Sequence, residues 1–120
     1  MYTLTMSDCV FCKIVEGKIP AKKVYEDADF LAFLDIHPLS PGHTLIIPKK
    51  HLDIIHEISH EELDILGKMF IVAGLTAKKL GVEKTGYRLI LNQGPDANQL
   101  VPHLHLHLLA GKRLGPKIVS

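Results

Sequence analysis

The chain has 120 residues, 47% hydrophobic and 22% charged, an ordinary globular composition that excludes disorder. Lys plus Arg is 14 and Asp plus Glu is 13, so the net charge of +1 supplies no basic footprint for nucleic acid and no polybasic membrane arm. The longest apolar run, about Met69 to Leu75, is far too short to span a bilayer, and Met1 to Asp8 lacks the layout of a secretory signal. Two cysteines make no disulfide framework, which fits a reducing, cytoplasmic setting. There is no linker, repeat or low-complexity tract, so residues 1–120 read as a single domain.

In chain order, Val10 to Glu16 reads as a short N-terminal helix closed by Gly17 and Pro20. Lys22 to Glu26 and Phe30 to Asp35 flank the turn residues Asp27-Ala28-Asp29, which predicts a hairpin. Pro38, Pro41 and Gly42 make a tight connection to His43 to Pro48, a β-rich run ended by proline. Glu61 to Leu80 is the one long helix, with an apolar stripe of Leu63, Leu66, Phe70, Ala73, Ala77 and Leu80. Ser59 and Glu62 form a capping-box pattern before it, and Gly81 supplies the left-handed stop. Tyr87 to Asn92 reads as a strand, Gln93 to Gln99 as a polar loop, and Leu104 to Leu109 as the last strand. The expected fold is α+β, an antiparallel sheet of about five strands with one long helix and a short N-terminal one.

Three of the eight histidines fall within residues 103–107. On a strand, His103, His105 and His107 project from one face while Leu104, Leu106 and Leu108 project into the core. Three imidazoles in a row can ligate one metal ion. Alternatively, one ring is a nucleophile and its neighbours donate to charge developing on a substrate. A surface ladder without a role is the third possibility. The metal reading would suit an oxidoreductase, but no carboxylate lies close in sequence to complete the ligand set. Cys9-x-x-Cys12 allows a zinc site, a redox pair or two plain core thiols.

His-Leu-His-Leu-His-Leu-Leu at 103–109 resembles the signature of the histidine triad superfamily. Cys9 to Ile14, Lys18 to Ala21, Ala32 to Ile36, Pro41 to Leu45, Ile47 to His51 and Asn92 are similar to that family's other motifs in the same order. The resemblance spans about residues 9–111 and is nearest the Hint-like branch of small homodimeric hydrolases. It implies hydrolysis of nucleoside 5′-phosphoramidates or related adenylyl compounds, and no cofactor in catalysis. It places His43, His103, His105 and His107 in the catalytic set. His105 attacks the α-phosphorus and carries a nucleotidyl intermediate, and His107 and His43 donate to the phosphoryl oxygens. A nucleotide-binding or scaffold protein without turnover is the alternative.

The resemblance also implies that Asp35 holds the ribose hydroxyls, and that Ile36, Phe11 and Phe33 wall a purine slot. Asn92 and Gln99 would contact phosphate or ribose. On the residues alone, Asp35 reads equally as a turn aspartate, Phe11 and Phe33 as core, and Asn92 and Gln99 as loop ties. Zinc held by Cys9, Cys12, His51 and His103 is implied as a structural ion that leaves His105 and His107 to the chemistry. Without zinc, His103 would orient its neighbours. Leu100 stands where the family usually has a hydroxyl or acidic side chain, so a step that needs that group is in doubt. His37, His56 and His60 match no motif and read as solvated.

Overall fold

Phe30–Leu34 and Thr44–Pro48 are apolar at nearly every position, the pattern of strands covered on both faces. The computed structural model describes residues 8–116 and builds its sheet around these two segments. Most of the stretch examined for a secretory signal lies outside those residues. The elements are α1 (Val10–Val15), β1 (Lys23–Glu26), β2 (Phe30–Leu34), β3 (Thr44–Pro48), α2 (Leu63–Leu80), β4 (Arg88–Ile90) and β5 (Leu106–Leu109). The five strands form one antiparallel sheet in the order β1-β2-β3-β5-β4, as expected for this α+β chain.

The hairpin turn is set by Asp27, whose Oδ1 accepts the N–H groups of Asp29 and Phe30, both at 2.8 Å. Beyond it, period-two alternation divides the side chains between two layers. Phe30, Ala32, Ile46, Leu106 and Leu108 pack with Met69, Val72, Ala73 and Ala77 of α2. Leu31, Phe33, Leu45 and Ile47 point the other way and pack with Phe11, Cys12 and Ile14 of α1. Leu45 is the cross-strand partner of His107, so His107 stands on the α1 side of the sheet. That face is where the candidate site residues gather.

Two expectations need correction. Leu63 and Phe70, taken as part of the core stripe of α2, are 51% and 56% exposed. The buried line is Met69, Val72, Ala73, Thr76 and Ala77, with Leu66 and Leu80 packed against it. At 3.6 residues per turn, positions 63 and 70 lie about 90° round from the centre of that line. The last strand is also shorter than expected, because the Leu104 N–H bonds to the Leu52 carbonyl instead of joining the ladder. His103 and His105 therefore sit on irregular backbone, and only His107 of the three is in regular strand. Leu104, Leu106 and Leu108 are buried as predicted.

Candidate active site

His105 is 5% exposed, and its Nδ1 lies 2.6 Å from the carbonyl oxygen of His103. A carbonyl only accepts, so Nδ1 carries the proton and Nε2 keeps its lone pair. Every fully buried side-chain nitrogen or oxygen among the described residues has a hydrogen-bond partner. The Nε2 atoms of His105 and His107 have none among those residues, so both open to solvent. The two rings are 5.0 Å apart between centroids. Phe11 meets the His105 ring edge-on at 5.1 Å and keeps it upright.

His107 continues into a chain of polar contacts. Its Nδ1 lies 3.0 Å from His43 Nε2, and His43 Nδ1 accepts the Leu39 N–H at 3.0 Å. Asp35 Oδ2 is 3.5 Å from His43 Nε2, while Asp35 Oδ1 accepts the His37 N–H at 2.9 Å. The fold thus supplies the carboxylate that the sequence around the histidines lacks. Burial lowers the pKa of His43, against an opposing pull from Asp35. Burial likewise lowers His105, against its bond to the His103 carbonyl, and takes His107 to about 4. All three rings are neutral near pH 7, as a nitrogen nucleophile with neutral donors requires.

His103 faces a different neighbourhood. It is fully buried, and burial takes its pKa to about 4. Its Nε2–H donates to the Pro48 carbonyl at 2.8 Å, which turns the Nδ1 lone pair toward Cys9 Sγ at 3.3 Å and Cys12 Sγ at 3.6 Å. His51 Nδ1 lies 3.1 Å from Cys12 Sγ. The ligand atoms of Cys9, Cys12, His51 and His103 all fall within 4.8 Å of one another. Edges of a tetrahedron with Zn–S near 2.3 Å and Zn–N near 2.0 Å would be about 3.6 Å. The donor set fits a four-coordinate ion, and the Pro48 carbonyl orients one ligand ring as metal sites commonly require. Burial and the neighbouring Cys9 raise the Cys12 thiol to about 12, the opposite of what a reactive redox cysteine needs.

The remaining predicted residues separate by environment. Phe11 and Phe33 are 6% and 4% exposed and pack edge-on against each other in the core, as their alternative reading held. Ile36 is 86% exposed beside Asp35. Asn92 donates to the Ala97 carbonyl, tying the loop. Gln99 is committed twice over: Oε1 accepts from Gln93 Nε2 and the Gly94 N–H, and Nε2 donates to Asp53 Oδ1 and the Val101 carbonyl. In this arrangement its amide has nothing left for a substrate. Leu100 is 81% exposed. The Leu39 N–H, the Pro48 carbonyl, Asp53 and Gln93 all escaped sequence reasoning. Two are backbone groups with no side-chain signature, and the other two sit in segments without a motif.

Fold and site together define an α+β protein with a buried histidine whose Nε2 opens to solvent beside a Cys2His2 cluster. The profile of the HIT domain matches residues 16–114, and the chain belongs to that family. It is 40% identical over 111 residues to the purine nucleoside phosphoramidase of Escherichia coli K12, covering 92% of this chain and 93% of that protein. Among solved structures, a HIT family hydrolase from Clostridium thermocellum superposes with a TM-score of 0.91 at 45% identity, covering 96% of this chain and all of that one. A HIT family hydrolase from Legionella pneumophila gives 0.84 at 44% identity, covering 89% and 96%.

Proposed function

We propose that this protein hydrolyses purine nucleoside 5′-phosphoramidates or related adenylyl compounds through a nucleotidyl intermediate on His105. The observation that carries the reading is the His105 tautomer: Nδ1–H is spent on the His103 carbonyl, and the Nε2 lone pair faces solvent. Attack by Nε2 forms a bond to the α-phosphorus and breaks the bond to the leaving group. Water then displaces the histidine, so one hard displacement becomes two easier ones. The His107 ring stands beside it to donate to the phosphoryl oxygens. In this reading Asp35 receives the ribose hydroxyls, and Ile36 flanks the base. Asn92 contacts the phosphate or ribose through its carbonyl oxygen. Phe11 and Phe33 support the slot from beneath.

Zinc is the ion that suits Cys9, Cys12, His51 and His103, and it would hold the fold around His103 without touching substrate. The domain works as a homodimer in a reducing, cytoplasmic compartment. Support for the dimer comes from Leu63, Phe70 and Ile71, all more than half exposed on α2, with Gly67 open beside them.

Rapid mixing with adenosine 5′-phosphoramidate at low temperature, acid or base quench and intact-protein mass spectrometry tests the mechanism. An adenylyl adduct that disappears in His105→Ala is expected. AMP release that survives His105→Ala would overturn it.

A further inference from the structure

Ser40 is buried, although Leu39 and Pro41 on either side of it are exposed. The reason lies at the end of the sheet. Thr44 stands opposite Leu108, so the same register carried two residues outward sets Gly42 opposite Ala110. Such a pair in an antiparallel ladder exchanges two backbone hydrogen bonds. One is made, from the Gly42 N–H to the Ala110 carbonyl at 3.1 Å. The Ala110 N–H donates instead to Ser40 Oγ at 3.1 Å, and the Gly42 carbonyl accepts the Thr44 hydroxyl at 3.1 Å. A serine oxygen thus stands in for a strand carbonyl where the chain turns off the sheet. Gly42 permits the approach, since a Cβ there would lie 3.3 Å from the Ala110 carbonyl oxygen.

We infer that Ser40 is a positioning residue for the nucleoside end of the substrate, its hydroxyl clipping the loop that carries Asp35 and Ile36 to the end of β5. The role rests on the activity proposed above, in which Asp35 receives the ribose hydroxyls. The neighbouring bonds of the loop are local and travel with it: His37 N–H to Asp35 Oδ1, the Asp35 N–H to the His43 carbonyl, and the His43 N–H to the Ser40 carbonyl. The clip is what ties this closed loop to the strand bearing His107, three residues before Ala110. It therefore fixes the spacing between the loop for the nucleoside and the strand beside the reacting imidazole. A loop ordered in advance spares the cost of ordering it on binding. The His105 bond to the His103 carbonyl lies outside the clip, so its loss weakens binding more than it slows the chemical step.

Ser40→Ala removes the acceptor and Ser40→Thr restores it. Amide hydrogen exchange without substrate reads the clip itself: the Ala110 amide should exchange about tenfold faster in Ser40→Ala and return toward the wild-type rate in Ser40→Thr. An unchanged Ala110 amide in Ser40→Ala would overturn the proposal. With adenosine 5′-phosphoramidate, Ser40→Ala should raise KM, and the Kd for AMP, about tenfold while kcat moves less than about threefold, and Ser40→Thr should recover most of the affinity. Gly42→Ala keeps the hydroxyl but forces the loop and Ala110 apart by a few tenths of an ångström, and it should raise KM in the same direction, which covers the case of a Ser40→Ala protein that does not fold. A folded Ser40→Ala with wild-type KM, or one whose loss falls on kcat alone, would overturn the positioning role. A wild type that binds no AMP and turns over no phosphoramidate would instead overturn the proposed function and with it the nucleoside role, while the Ala110 amide still reports the clip.

Discussion

Gln99 shows how a polar side chain near a site serves the loop that frames it. Its amide joins Asp53, Gln93, Gly94 and Val101, so the stretch leading to His103 is bolted to the segment after His51. Truncation in Gln99→Ala leaves the Asp53 carboxylate and the Gly94 N–H without that partner. A loss of about 1–3 kcal/mol in urea unfolding is expected, with KM nearly unchanged. A large rise in KM at unchanged stability would instead assign Gln99 to the substrate. The buried histidines govern acid stability. His107 titrates at about 4 in the folded protein against an ordinary value of 6.5, and His43 is lowered too, both chiefly through burial. The unfolded chain therefore takes up protons first as pH falls. Their contribution is whole above about pH 6.5 and is lost on the way down to about pH 4. The unfolding free energy from urea titrations should drop across that window by an amount on the order of 2 kcal/mol, and a flat profile would contradict the assignment.

At the scale of elements, α2 carries two apolar faces, and periodicity alone could not choose between them. Met69 is fully buried against the sheet, whereas Phe70 next to it is 56% exposed. Met69→Ala should cost about 2–5 kcal/mol in unfolding free energy. The hairpin and the first three strands were legible to within a residue because Asp27 and the apolar runs act locally. The start of the last strand was not, because the Leu104 N–H leaves the ladder for Leu52, 52 residues earlier in the chain. That departure frees the His103 carbonyl to accept from His105.

For the whole molecule, the Cys9, Cys12, His51 and His103 cluster joins the start of α1, the segment after β3 and the approach to β5. Elemental analysis should find about one zinc per chain. Chelation should lower the melting temperature, because binding to the native state alone stabilises it by mass action. An unchanged melting temperature in chelator would remove the ion from the fold. The second face of α2 belongs to this scale as well. Phe70→Glu should leave the circular dichroism spectrum intact yet halve the mass measured by sedimentation equilibrium, since a charge in an apolar interface is costly to desolvate. A monomeric wild type would refute the dimer.

The sequence by itself determined the alternation that puts three leucines inward at 104, 106 and 108, the histidines opposite them, and the pairing of cysteines nine and twelve. Those features depend on neighbours a few residues apart, where spacing fixes direction. What only the tertiary structure decided was the work of each histidine. His103 turns to the thiols because the Pro48 carbonyl takes its other nitrogen, and His105 is poised because the His103 carbonyl takes its Nδ1 proton. His43 and His107 are ordered by the Leu39 amide and a carboxylate brought from residue 35. Which nitrogen of an imidazole carries the proton is set by the group it faces, and that group comes from distant chain and often from backbone.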